Sequence, residues 1–270
     1  MDNSNKAVEY YINSPNSSIR KVSKMFNIDR RRLSKLLKTK NIEIVNHKSR
    51  KYYCNFNYFD TIDSEEKAYW LGFILADGCI DKQNKFEISL KEDDKYILEA
   101  FNKCLESTYP ILESKSSGGF GIPESIFSVL IIQNEYFVAS LKEYGIIHNK
   151  SLYATFNYNN KIPAKYMNAY LRGIFDGDGW FVDSRHTKGK SKEIGFCGTE
   201  DVCLGIQKVL KDTFGMNYRV TQDKSIYRIR ICSTANILKL YNFMYKDATY
   251  FLKRKYDKLK LFADSNETIK

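Results

Sequence analysis

No run of about 18 apolar residues, the length needed to cross a bilayer, occurs in the 270-residue chain. The opening MDNSNKAVEYY is polar and has no apolar signal core, so the sequence predicts a protein of the host-cell cytosol, or of an organelle matrix, with no membrane partner. Cysteine is sparse and scattered: Cys54, Cys79, Cys104, Cys197, Cys203 and Cys232 form no CxxC pair, and His47, His148 and His186 are not spaced as partners. These absences argue against a zinc site and leave reduced, buried thiols as the expectation. Low-complexity composition is missing as well. The chain opens with Met-Asp and closes with Thr-Ile-Lys, without the terminal nucleophile and His-Asn of an intein, so a free-standing protein is expected.

Basic charge is in excess, and it is unevenly placed. The net charge is +11, from 43 Lys and Arg against 32 Asp and Glu. Residues 1 to 51 hold 13 basic and 4 acidic side chains, which leaves 30 against 28 for the rest. A basic terminal module on a nearly balanced body suits a nucleic-acid partner.

The module reads as three short helices: KAVEYYI, then IRKVSKMF capped by Ser18, then RRRLSKLLKTK capped by Asp29 after a turn at Asn27-Ile28. Val22, Phe26, Ile28, Leu33, Leu36 and Leu37 supply an apolar face. This is helix-turn-helix organisation, with the third helix as the recognition candidate through Arg30, Arg31, Arg32, Ser34, Lys35 and Lys38. A solvated basic helix that binds nothing is the plainer alternative, and the turn together with the one-sided charge favours DNA. The expected divisions are a helix-turn-helix domain over 1–46, a basic linker over 47–59 with Lys48 and Arg50 tracking phosphates, and two repeats over 60–160 and 161–270.

The repeats are signalled by WLGFILADG at 70–78 and LRGIFDGDG at 171–179, which align at Gly72 and Gly173, Asp77 and Asp178, and Gly78 and Gly179. Each reads as a helix that ends at its own acid. Asp63-Ser64 followed by Glu65 and Glu66 marks one helix start and Pro163 the other, while Gly78 and Gly179 are expected to stop the helices as C′ residues. Small residues four apart, Gly72 with Ala76 and Gly173 with Gly177, line one face of each helix and permit close backbone approach. Packing the copies together would bring Asp77 and Asp178 to the negative ends of two helix dipoles, an arrangement that calls for a cation. Asp-Gly is a common turn dipeptide, so one motif alone would be two buried helix residues and a turn; the matched pair points to a duplicated site.

That arrangement resembles the LAGLIDADG homing endonucleases in their single-chain, two-motif form, over roughly residues 60 to 262. The resemblance implies an α+β fold of tandem pseudo-symmetric αββαββα repeats whose antiparallel strands form a saddle over DNA, preceded here by the small all-α module. It implies hydrolysis of both strands of a long asymmetric double-stranded DNA site, leaving short 3′ overhangs, by a monomer with internal pseudo-two-fold symmetry. Such proteins are commonly encoded in introns or between genes. The resemblance further implies Mg²⁺ (or Mn²⁺) held through Asp77 and Asp178 and through Ala76 and Gly177 just before them, and a lysine for each active site. By context these are Lys150 and Lys255, with Lys253 and Arg254 competing for the second role. Trp70 in place of a leucine and Leu75 in place of an acid, where the second copy has Asp176, are the departures.

The duplication extends beyond the motifs. FEISLKEDDKYILEAFNKCL at 86–105 parallels IGFCGTEDVCLGIQKVL at 194–210, and IFSVLIIQNEYFVASLKEYG parallels IYRIRICSTANILKLYNFMY. Along 85–91 Lys85, Glu87, Ser89 and Lys91 alternate with apolar residues, as do Arg228 and Arg230 along 228–231, so a polar strand face is expected to meet DNA. The segment at 183–192 adds Arg185, Lys188, Lys190 and Lys192 as phosphate or base contacts. Two other functions share the same features: a sequence-specific DNA-binding regulator that does not cut, and an RNA maturase that assists intron splicing. Paired acids facing phosphates disfavour the first, and a recognition helix that cannot enter the narrow major groove of A-form RNA disfavours the second.

Overall fold

The computed structural model describes residues 3–14, 17–40, 42–44, 52–116, 125–156, 161–184 and 191–267. The chain divides into two compact units, residues 1–55 with 106–109, and residues 56–105 with 110–270.

The first unit contains α1 (Asn3–Asn13), α2 (Ile19–Met25) and α3 (Arg30–Thr39). Ser18 caps α2 by accepting from the Lys21 amide, and Asp29 caps α3 by accepting from the Arg31 and Arg32 amides. Between them Asn27 takes a left-handed φ of 46°, a conformation asparagine tolerates well, which reverses the chain in a short turn. Ala7, Val8, Tyr11, Val22, Leu33 and Leu37 form the core, with Phe26, Ile28 and Leu36 packed against it. Arg30, Arg31, Arg32, Lys35 and Lys38 are exposed, and Ser34 is half-buried.

In the second unit the order helix, two strands, helix, two strands, helix occurs twice. The first copy is α4 (Glu65–Asp77), β1 (Gly78–Ile80), β2 (Phe86–Lys91), α5 (Lys95–Cys104), β3 (Ile111–Ser116), β4 (Ser125–Ile132) and α6 (Glu135–Lys142). A four-residue helix, α7 (Lys150–Tyr153), follows it. The second copy is α8 (Met167–Asp178), β5 (Trp180–Asp183), β6 (Lys192–Gly198), α9 (Glu200–Phe214), β7 (Val220–Asp223), β8 (Ile226–Ile231) and α10 (Thr234–Tyr245), followed by α11 (Lys253–Glu267). The two sheets are antiparallel and have matching strand orders, β1-β2-β4-β3 and β5-β6-β8-β7. This is an α+β fold built by duplication.

Helices α4 and α8 form its centre. Ser64 caps α4 by accepting from the Lys67 amide at 3.2 Å, and every residue from Ala68 to Ala76 is buried. In α8 the same is true from Ala169 to Asp176. A helix buried all round is a core element rather than an amphipathic surface helix. The two backbones cross at their glycines: a Cβ on Gly72 would collide with the Tyr170 carbonyl oxygen, and one on Gly173 with the Tyr69 carbonyl oxygen. At the next small position a Cβ on Gly177 would collide with Ala76. The small-residue face therefore has a direct steric reason.

Gly78 and Gly179 stop the two helices as expected; they are extended, with φ of −71° and −77°, rather than left-handed, and lead directly into β1 and toward β5. Glycine is required there by space, since a Cβ at Gly78 would lie 2.7 Å from the Ile74 carbonyl oxygen. Pro163 precedes a 3₁₀ turn, Ala164–Tyr166, and the α-helix proper starts only at Met167.

The alternation along β2 matches the pleat: Phe86, Ile88 and Leu90 are buried, Lys85 and Glu87 half-buried, Ser89 and Lys91 exposed. On β8, Ile229 and Ile231 are buried, Arg230 exposed and Arg228 half-buried.

Replacing Gly173 by leucine forces the central helices apart. The expected cost is about 3 kcal/mol or more, the upper range for overpacking, measured as a lowered urea midpoint. An unchanged midpoint would show that the helices do not meet at this residue.

Candidate active site

The crossing of α4 and α8 carries Asp77 and Asp178 to the same end of the helix pair. Asp77 is half-buried and Asp178 is exposed at a concave surface. The carbonyl ends of both helices point there, so the backbone contributes partial negative charge beside the two carboxylates. Burial raises the Asp77 carboxyl to about 6, and the negative charge of Asp178 adds to that rise. Asp178 is raised by lost hydration too, because the cleft walls hold water away even where its surface is open.

Two lysines offset this charge, each from the extra helix that follows its copy. Lys150, the first residue of α7, donates from Nζ to the Leu75 carbonyl at 2.8 Å and to the Ala76 carbonyl. Lys255, in the first turn of α11, donates to the carbonyls of Phe175 at 2.8 Å, Gly177 at 2.9 Å and Gly179 at 2.6 Å. Each lysine therefore holds the last turn of one motif helix. Burial lowers the pKa of both, that of Lys255 to about 8. The acids and lysines sit crosswise: Asp77 lies against Gly177, whose carbonyl Lys255 holds, and Asp178 lines one cavity with Lys150. Two acid and lysine half-sites result, Asp77 with Lys255 and Asp178 with Lys150.

The competing basic residues make other contacts. Lys253 is exposed, and the Arg254 Nε donates to Asp94 at 2.9 Å. The carbonyls of Ala76 and Gly177 accept from the lysines, so a cation at either would share that oxygen with an ammonium. Asp77 and Asp178 carry the remaining oxygen donors, and two carboxylates suit Mg²⁺ or Mn²⁺, which keep waters and take phosphate oxygens as further ligands. Burial first, and then the charge of Asp178, raise Asp77, and a cation beside the two carboxylates would oppose both effects. Among the described residues no cluster of three or more His, Cys, Asp or Glu side chains offers another metal site.

Beside the Asp178 half-site lies a cavity of about 210 Å³ lined by Lys150, Ser151, Asp178, Cys197, Thr199 and Ile226 among others. Cys197 donates to the Asp178 carbonyl at 3.2 Å, and Arg228 is its register partner on β8. Arg228 pairs with Asp223 at 2.7 Å, and Lys85 with Glu87 at 2.8 Å, so neither is a bare cation. Arg230 stands exposed on the same face of β8. Lys192 is half-buried in the first position of β6. Lys48, Arg50, Arg185, Lys188 and Lys190 lie outside the described residues, and the recognition candidates of α3 belong to the other unit.

Sequence reasoning gave no role to the buried polar network behind the Lys255 half-site. The Asp176 carboxylate is fully buried and accepts from the Tyr69 hydroxyl at 3.0 Å, the Tyr245 hydroxyl at 2.6 Å and the Leu252 amide at 2.7 Å. Burial raises its pKa to about 6, against these hydrogen bonds. Arg172, 1% exposed, donates to the carbonyls of Tyr250 and Met244 and to the Glu65 carboxylate. The available signal was an arginine and an aspartate inside an apolar motif helix, where a charge must have a partner.

Such a fold and site define a duplicated α+β protein with paired acidic helix ends set against cationic caps. The chain belongs to the LAGLIDADG-like family, whose LAGLIDADG-like domain is matched at residues 64–145 and 165–243. A protein of Methanocaldococcus jannaschii, the uncharacterized protein MJ0314, is 25% identical over 217 residues, covering 77% of this chain and 71% of its own length. The homing endonuclease I-WcaI bound to its DNA recognition sequence is 18% identical, with a TM-score of 0.52 over 75% of this chain and 90% of its own, and it shares the fold. The N-terminal LAGLIDADG domain of DUF199/WhiA is 19% identical, with a TM-score of 0.45 over 71% of this chain and 89% of its own.

The raised carboxyl of Asp77 has a defined stability signature. Its folded pKa of about 6 lies above the ordinary 3.8, so the folded state holds the proton more tightly. The associated stability is fully present below pH 3.8 and is lost as pH rises through about 6. Asp77→Asn is therefore expected to melt above the wild type at pH 8 and to match it near pH 4. Thermal melts across that range check this, and an Asn variant less stable at pH 8 would contradict it.

Proposed function

We propose that the protein is a site-specific endonuclease that hydrolyses both strands of double-stranded DNA at a long asymmetric target, using a divalent metal ion. The observation that carries this reading is the convergence of Asp77 and Asp178 at one end of a helix pair, with Lys255 held beside Asp77 and Lys150 in the cavity with Asp178. A protein that only binds DNA gains nothing from two carboxylates facing phosphates, and it would have to overcome their repulsion.

In this mechanism Asp77 and Asp178 hold Mg²⁺ or Mn²⁺ at the scissile phosphates. When bound, the ion stabilises charge at phosphorus and on the leaving oxygen. Asp77 and Asp178 would hold that ion, and the lysines add positive charge beside the reacting oxygens. Because Lys255 donates to three carbonyls, which a neutral amine with two N–H groups cannot do, it acts as an ammonium group rather than as a base. The two-copy architecture suits an active monomer, each half meeting one strand.

DNA contact is assigned to the exposed strand faces, including Ser89, Lys91 and Arg230, with Lys85, Glu87, Lys192 and Arg228 beside them. The ion pairs at Lys85 and Arg228 would exchange their carboxylate partners for phosphate. The three-helix unit is assigned helix-turn-helix binding through Arg30, Arg31, Arg32, Ser34, Lys35 and Lys38 on α3, and the domain limits 1–46, 47–59, 60–160 and 161–270 follow from that division of labour. Intron-linked or intergenic homing is the biological setting this activity suits.

Cleavage of a randomised DNA library with Mg²⁺ and with chelator tests the reading. Metal-dependent cutting at one long site, lost in Asp77→Asn and in Asp178→Asn while binding persists, is the expected result. Binding to one site without cutting by the wild type would assign the protein as a regulator instead, and binding to RNA alone as a maturase. Replacing Arg30, Arg31 and Arg32 together by alanine should weaken DNA binding and lower the salt slope by about 0.9 for each phosphate that is no longer neutralised. An unchanged slope would remove α3 from the interface.

A further inference from the structure

The two lysines are anchored differently. An ammonium has three N–H donors, and Lys255 has three carbonyl acceptors, on Phe175, Gly177 and Gly179. All of its donors are committed, and a neutral amine would aim a lone pair at one of these oxygens. Lys150 donates to the carbonyls of Leu75 and Ala76 alone among the described residues, which leaves one N–H uncommitted. Its side chain lines the cavity beside Asp178, where a water or phosphate oxygen has room.

The supports differ as well. Lys255 sits in a 15-residue helix whose start is held from below: its amide donates to the Leu252 carbonyl at 2.9 Å, and the Leu252 amide donates to Asp176 at 2.7 Å. Tyr245, at the end of α10, donates to the same carboxylate. The first copy has Leu75 at the position of Asp176, and its lysine starts a helix of only four residues.

We propose that the two half-sites are unequal. The Asp178 and Lys150 half-site retains a donor for the reacting water or phosphate and cuts its strand first. The Asp77 and Lys255 half-site supplies a fixed positive charge, with Asp176 as its positioning residue, and cuts second. The inference rests on the endonuclease reading for its order of cutting, and on the lysine geometry for the inequality itself. In each strand the oxygen of water forms a bond to phosphorus and the P–O3′ bond breaks. The 3′ oxygen leaves with the bonding pair and takes up a proton from solvent, and the attacking water releases one to solvent.

The test has two arms. The first uses the full-length protein without DNA, labelled at the lysine Nζ. Hydrogen exchange at the Lys255 ammonium, assigned by its loss in Lys255→Arg, is expected to be at least about tenfold slower than at Lys150, as complete hydrogen bonding requires. Equal or reversed exchange overturns the inequality. The second arm follows each strand of the library-selected site on a supercoiled plasmid with Mg²⁺. Nicked circles should accumulate transiently in the wild type. Lys150→Met should slow the first-cut strand about 100-fold, and Asp176→Asn should slow only the second, about tenfold, as expected of a residue that orients a site group. Equal slowing of both strands by either variant overturns the assignment. A wild type that leaves the plasmid intact defeats the endonuclease reading, while the exchange arm still decides whether the half-sites differ.

Discussion

The close approach of α4 and α8 is the constraint on which the rest depends. With glycines at the crossing, each backbone comes within reach of a carbonyl of the other, at Tyr69 and at Tyr170. Both helices are buried along their middle, so two helices of 13 and 12 residues become the shared core of both copies. Larger residues at the crossing would keep the helices apart and would move the two aspartates with them. Site geometry and core packing are thus one property of the same helix crossing.

Packing two helices with their carbonyl ends together concentrates negative potential, and two carboxylates increase it. The structure answers this with cations from outside the motif. Lys150 and Lys255 reach back from α7 and α11 to the terminal carbonyls, which satisfies orphan acceptors and places positive charge crosswise to each acid. Burial, with the charge of Asp178 added, still leaves the Asp77 carboxyl raised. A site left partly uncompensated is one that a divalent ion can stabilise further, and the proposed chemistry draws on that imbalance.

Behind the second half-site, Asp176 and Arg172 tie α4, α8, α10 and the start of α11 into one polar network. Every anchor of the Asp176 carboxylate is a hydroxyl or amide in the protein interior, where an unpaired carboxylate would be strongly unfavourable. The network therefore fixes where α11 begins. In the first copy the matching position is Leu75, whose side chain cannot accept a hydrogen bond. Sequence duplication has preserved the frame of the site while its two halves have diverged in how they are held.

Much of this is readable along the chain. The repeated motif, with glycine spacing and terminal acid, specifies two helices, their small-residue faces and the pair Asp77 and Asp178, because steric demand and helix periodicity act locally. Caps at Ser18, Asp29 and Ser64, and the alternation along 85–91, are legible for the same reason. That Gly78 and Gly179 are extended rather than left-handed is not legible, because their requirement for glycine comes from crowding by Ile74 and Phe175, a through-space effect. The long helix α11 and the network at Asp176 are not legible either, since the partners of that carboxylate lie 69 to 107 positions away in sequence. Sequence alone determined which residues could form the site. Only tertiary structure decided that Lys150 holds the end of α4 and Lys255 that of α8, and that, among the described residues, two carbonyls engage the first lysine and three the second, because hydrogen bonds between distant segments exist only once the chain has folded.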